Sequence, residues 1–222
     1  MTFTLRNLID NLYNEKFKKL NILEAGASNP EALVTLEFAN DNNVWYMEPV
    51  IPTFNRLVSI FPQSLNLALS DYDGVVDFTV TSHDGNSSIK HSEIHKKELE
   101  SYNTVFENVK VNCITYSSLL KKLNLIFDIL VLDIEGHEVP VLKSIQLSNE
   151  KEHPKIIVIE CGYDWNVRLQ ILKEMGYCLD VYWENNCILS KNIETNPKVV
   201  EMCNQIYNKF EWFGQVIYDI NG

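Results

Sequence analysis

Residues 127–138 read FDILVLDIEGHE. Ile129, Leu130, Val131 and Leu132 form an apolar run behind Phe127, too short for a membrane span and suited to a strand buried on both faces. The run stops at Asp133, and Glu135, Gly136, His137 and Glu138 follow at once. Open α/β sheets hold their ligands at the carboxyl ends of buried parallel strands. Three acids and a glycine in six positions at such an end mark a site rather than a plain polar turn.

Moving outward, the same rhythm recurs. Residues 21–30, NILEAGASNP, read as a strand and a small-residue turn, with Asn29 capping a helix opened by Pro30 and continued from Glu31 to Phe38. Val44 to Met47 is a second strand ended by Glu48 and Pro49. A helix over 53–61 and a third strand over Leu65–Leu69, ended by Ser70 and Asp71, come next. Val75–Thr81 and Val109–Ile114 alternate as edge or hairpin strands. Between them lie a polar loop over 83–88 and a charged helix over 94–102. A helix over 116–123 feeds the central strand. Lys155–Glu160 is a fifth buried strand ended by an acid. A helix over 167–175, stopped by Gly176, precedes a hairpin over 177–190, and Pro197–Phe210 is a closing helix. Strand-helix alternation of this kind predicts parallel strands with right-handed crossovers. The whole chain reads as one domain: a leading helix within 1–20, a core over 21–190, and a closing helix and tail over 191–222.

The composition agrees. The 222 residues are 45% hydrophobic and 22% charged, enough for a real core, and the net charge is -11. With no basic stripe, nucleic acid and anionic membrane are excluded as main partners. Cys113, Cys161, Cys178, Cys187 and Cys203 show no CxxC pair and read mostly as small buried residues in a reducing compartment. The N-terminal stretch lacks the apolar centre of a signal peptide, and no stretch is long enough to span a membrane. The expectation is a cytoplasmic protein, with a homo-oligomer left open.

In a doubly wound sheet the strand ends lie along one edge. That edge collects Glu24, Gly26, Ala27 and Asn29 after the first strand, Glu48 after the second, Ser70 and Asp71 after the third, Asp133 to His137 after the fourth, and Glu160 after the fifth. A small-residue turn admits close approach of a ligand. An acid after the second strand can accept both hydroxyls of a ribose, and a polar residue after the third can meet an adenine edge. The ligand is read as a nucleoside. NAD would need phosphate-binding glycines, which GASNPE lacks. A sulfonium nucleoside with an amino-acid tail fits better, with Glu24 toward the ammonium and Glu48 toward the ribose. S-adenosylmethionine is therefore the expected cofactor. Trp45 and Trp183 read as core or rim, and His83, His91 and His95 as surface.

Eight segments in order resemble the FkbM family of S-adenosylmethionine-dependent methyltransferases. They are LEAGASNPEA (23–32), MEPVIPTFNRL (47–57), NLALSDYDGVVDF (66–78), DGNSSI (84–89), VNCITYSSLL (111–120), DILVLDIEGHEVPVLKSI (128–145), KIIVIECGY (155–163) and LKEMGYCLDVYWENNCIL (172–189). The resemblance implies a Rossmann-like class I methyltransferase: a seven-stranded, mostly parallel sheet with a C-terminal antiparallel hairpin and extra β-elements after the third strand. It implies methyl transfer to a hydroxyl of a sugar, glycan or small natural product. Asp133 would lie beside the methyl group and orient the hydroxyl, and His137 is the candidate general base. By the same resemblance, Asp133 and Glu160 are candidate ligands for a divalent ion, with Mg²⁺ favoured by all-oxygen ligation. Glu138 reads as a first-turn acid favoured by the helix dipole; Ser87 and Ser88 are contacts for the amino-acid tail or the acceptor. The family's first motif usually has Asp where Glu24 stands, and Gly where Pro30 stands. That departure keeps an alternative in view: a catalytically silent nucleoside-binding module acting as a partner subunit.

Overall fold

The computed structural model describes residues 3–82, 85–89, 91, 93–162, 164–212 and 215–221. Thr4 caps α1 (Leu5–Leu12) by accepting from Asn7 N at 3.2 Å, and the helix buries Leu5, Leu8, Ile9 and Leu12. β1 (Asn21–Ala25) and β2 (Asn43–Met47) pair in parallel, and α2 (Ile51–Ile60) opens with a proline in its first turn. β3 (Ser64–Leu65) extends the main sheet; β4 (Ala68–Ser70) leaves it. β5 (Gly74–Thr81), α3 (Glu93–Ser101), β6 (Phe106–Thr115) and α4 (Tyr116–Leu123) follow. Then come β7 (Ile129–Leu132), α5 (Glu138–Gln146), β8 (Ile156–Glu160), α6 (Trp165–Glu174), β9 (Cys178–Trp183) and β10 (Asn186–Ser190). The chain closes with α7 (Pro197–Ile206), β11 (Lys209–Trp212) and β12 (Gln215–Asp219).

The main sheet has seven strands in the order β3-β2-β1-β7-β8-β10-β9. All pairs from β3 to β8 are parallel, and β10 runs antiparallel to both its neighbours. The expected architecture holds, including the terminal hairpin of the sheet. β7 sits at its centre with four buried residues in a row. Ile129 and Val131 join the core beneath α1 and α7; Leu130 and Leu132 join the core beneath α4, α5 and α6. Period-2 alternation in a strand covered on both faces gives this division. A second sheet, β4-β6-β5, is the predicted insertion after the third strand.

Four expectations need correction. No α-helix runs over 31–38; only a 3₁₀ turn, Leu36–Phe38, forms there. The amides of Val34 and Thr35 donate to the buried Glu24 carboxylate instead, so the helical ladder is not made. The third strand, expected over 65–69, is divided between two sheets. Asn66 Nδ2 donates to Glu48 O and Pro49 O at 3.0 and 2.9 Å, holding the chain as it crosses from one sheet to the other. The closing helix ends at Ile206, and a β11–β12 hairpin follows. Tyr218 of that hairpin stacks on Tyr182, 3.6 Å between centroids, an attachment no local pattern announces. Among the cysteines, Cys161 and Cys187 are paired as a disulfide rather than free, and Cys178 is exposed.

Candidate active site

The register brings the strand tips level. Ala25 pairs with Met47 on one side and Leu132 on the other, and Leu132 pairs with Ile159. Gly26, Glu48, Asp133 and Glu160 therefore leave four adjacent strands at one edge. Gly26 has φ +93°, and a Cβ there would lie 1.7 Å from the Asp133 carbonyl oxygen. Glycine is required for two strand ends to approach each other, in addition to any ligand's needs.

A cleft with about 740 Å³ of empty space, open solvent included, occupies this edge. Gly26, Ser28, Glu48, Asp133, Glu135 and His137 line it from the main sheet. Phe78, Val80, Thr81, Ser87 and Ile89 line it from the insertion. Of the turn after β1, only Gly26 and Ser28 reach the cleft. Ala27 is buried in the core, and Asn29 accepts from Glu31 N at 3.1 Å. Glu24 is also turned away from the cleft: Oε1 accepts from Val34 N at 3.1 Å, and Oε2 from Thr35 N at 3.2 Å and from the Thr35 hydroxyl. Burial nevertheless pushes its carboxyl up to about 7, against those donors.

Glu48 lies at the cleft with Oε1 accepting from Val50 N at 2.6 Å, and burial raises it to about 7. Ser70 is wholly buried behind the lining: its hydroxyl lies 3.2 Å from His137 Nε2 and 3.2 Å from Asp71 Oδ1. Asp71 Oδ1 itself is 3.8 Å from the same imidazole nitrogen. Ser70 and Asp71 thus orient His137, a buried residue that lines the cleft at the start of α5. Ser87 Oγ accepts from Thr81 N, and Ser88 Oγ donates to Ile134 O at 3.3 Å, tying the insertion to the loop after β7.

That loop carries most of the charge. Asp133 Oδ1 is buried and has no hydrogen-bond partner among the described residues. Burial, then the nearby Glu138, lifts Asp133 to about 6. Glu135 stands at φ +57° and faces the cleft; burial, then Asp133, pushes it up to about 9. Its described ion-pair partner is His95 Nδ1 at 3.8 Å. His95 is 7% exposed, so the expectation that it lies on the surface is overturned: α3 folds inward over the site. His91 is half-buried and edge-on to His95, while His83 lies outside the described residues.

Two participants escaped the sequence reading. Glu138 is the expected first-turn acid of α5, but its part in the site was not read: it is completely buried and accepts from Ile134 N and Gly136 N at 3.0 Å each, fixing the loop's shape. Arg168 of α6 is 2% exposed, with Nη2 2.9 Å from Glu138 Oε2, Nη1 2.8 Å from Glu160 O and Nε 2.6 Å from Asp164 Oδ1. An arginine inside an otherwise amphipathic helix was the only available signal. Glu160 is 5% exposed and driven well above the ordinary carboxylate range by burial and by Asp133.

Asp133, Glu138 and Glu160 each offer an oxygen within 4.8 Å of the others. Glu138 is already matched by Arg168, which leaves Asp133 and Glu160 as spare oxygen donors. An orphaned, buried carboxylate oxygen beside a second acid fits a hard divalent ion in donor type and charge.

A doubly wound sheet in this order, with a reversed strand near one edge and a polar cleft at the tips of its central strands, defines a class I methyltransferase. A family model described as "Methyltransferase FkbM domain" matches residues 24–179. The chain belongs to the FkbM methyltransferase family, whose donor is in general S-adenosylmethionine. Among solved structures, precorrin-6y C5,15-methyltransferase from Geobacter metallireducens GS-15 is similar at 11% identity, over 79% of this chain and 80% of that one, with a TM-score of 0.41. No curated protein matches the chain in sequence. Among the described residues no helix is long and apolar enough to cross a membrane.

Proposed function

We propose that this methyltransferase transfers the methyl group of S-adenosylmethionine to a hydroxyl oxygen of a sugar, glycan or small natural product. The observation that carries the reading is Asp133 Oδ1, buried and without a hydrogen-bond partner among the described residues, at the cleft that Gly26, Glu48 and His137 line. Glu48 takes the ribose hydroxyls, with one oxygen already anchored by Val50 N. Gly26 and Ser28 admit the amino-acid tail. Asp133 orients the acceptor so that its hydroxyl oxygen faces the methyl carbon. The new C–O bond forms as the C–S bond breaks, and sulfur keeps the electron pair. His137, oriented through Nε2 by Ser70 and Asp71, takes the hydroxyl proton at its other ring nitrogen, Nδ1. Where Mg²⁺ is used, Asp133 and Glu160 hold it, and the ion lowers the acceptor's pKa.

Calorimetry tests the donor: S-adenosylmethionine binds and NAD does not, and the reverse would overturn the reading. Asp133→Ala is expected to abolish methyl transfer from labelled S-adenosylmethionine while circular dichroism stays native. Unimpaired transfer by that variant removes Asp133 from the mechanism.

A further inference from the structure

We propose that Glu135 is a specificity-determining residue that makes the cleft read the positive charge of the donor, so that the sulfonium nucleoside is held more tightly than its neutral thioether product. The inference rests on the donor reading above. Around the loop after β7, four carboxyls, Asp133, Glu135, Glu138 and Glu160, surround one guanidinium, that of Arg168. Its three arms are already engaged by Glu138, the Glu160 carbonyl and Asp164. Glu48, Asp133 and Glu135 line the cleft, and no lysine or arginine does so among the described lining residues. Among the described residues the site is therefore short of positive charge, and Asp133 Oδ1, buried there with no hydrogen-bond partner, is part of the same deficit.

Glu135 is placed for the role by its backbone. It is held at φ +57° and is followed by Gly136 at φ +104°, an arrangement that non-glycine residues adopt only under constraint. Glu138 imposes the constraint by accepting from the amides on both sides of Glu135, those of Ile134 and Gly136. The turn so formed directs the Glu135 carboxyl into the cleft, with His95 closing over it from α3. A sulfonium entering this space supplies the missing charge. After transfer the ligand is a thioether with one positive charge fewer, and the attraction is lost, which favours release of the spent nucleoside.

The test needs no acceptor. Dissociation constants are measured by calorimetry on the full chain, with a chelator present, for S-adenosylmethionine, S-adenosylhomocysteine and sinefungin, whose ammonium replaces the sulfonium. The two cationic ligands are expected to bind about tenfold more tightly than the thioether. In Glu135→Gln the ratio should fall to about twofold, with thioether affinity unchanged. A merely structural role for Glu135 would weaken all three ligands alike. Equal or tighter binding of the thioether by the wild type overturns the inference while leaving the donor reading intact, as does an unaltered ratio in the folded variant. If Glu135→Gln does not fold, the three wild-type constants still decide. Failure of all three ligands to bind overturns the donor reading and this inference with it.

Discussion

The tips of β1 and β7 are neighbours in one sheet, and each carries a buried acid, yet the two acids have opposite fates. Glu24 has both oxygens engaged by the amides and hydroxyl of residues 34–35, so its charge is spent on shaping the turn. Asp133 keeps one oxygen buried without a hydrogen-bond partner among the described residues. A protein rarely leaves such a group unmatched, because the desolvation cost is about 1–3 kcal/mol. An acid at a strand end marks a place in the fold, and the state of its hydrogen bonds marks what it is for.

The largest effect tests what sustains the β7 tip. Arg168 is the one guanidinium in contact with that cluster. Arg168→Met leaves Glu138 buried without its counter-ion and should cost about 3–5 kcal/mol in urea denaturation. A loss below about 1 kcal/mol would show that the cluster does not depend on it. Next comes the direct contrast between the two acids. Glu24→Gln puts an amide against three donors and should cost about 1–3 kcal/mol. Asp133→Asn removes a repelled charge and should leave stability equal or slightly higher while methyl transfer is lost. Equal destabilisation by both would erase the distinction.

The same contrast has a pH signature. The folded values of Glu24 and Glu48, each about 7, lie above the ordinary carboxylate value of about 4. The native state therefore binds protons that the unfolded chain has released. Their contribution to stability is full below about pH 4 and declines as pH rises through 7. Asp133, Glu135 and Asp180, raised by burial, act in the same sense, and His91, His95 and His153, lowered by burial, act in the opposite one. The urea midpoint should be higher at pH 5 than at pH 8, and Glu24→Gln should flatten that slope. A midpoint that rises over this interval contradicts the burial of these acids.

Much of the fold was legible because its signals are local. The run 129–132 had to be a doubly covered strand, and the order of acid-tipped strands placed Asp133, Glu48 and Glu160 at one edge. The roles of Glu24, Glu138 and Arg168 were not legible, because each depends on partners brought in by the fold. Thr35 reaches Glu24 across a turn that the sequence reads as helix, and Arg168 reaches Glu138 from a helix thirty residues downstream. His95 was misplaced for the same reason: a charged helix after a polar loop looks solvated until the loop folds back. Where hydrogen-bond partners are distant in the chain, local pattern cannot decide between a ligand-facing acid and a structural one.

The smallest effect concerns how the β7 tip is covered. α3 rests on the site through His95, whose Nδ1 is 3.8 Å from Glu135 and whose Nε2 is 3.3 Å from Asn86 Oδ1, and through buried Leu99. Among the described residues the strands beneath are tied by continuous ladders, so α3 should open as a separate unit. His95→Ala is expected to speed amide exchange over residues 93–101 by about tenfold and shift global stability by less than about 0.5 kcal/mol. Exchange over β7 should stay at the global limit. If exchange in α3 does not change, or if it changes only together with β7, the insertion and the sheet form one cooperative body. The β7 tip would then be as firmly closed by its own chain as the tip of β1.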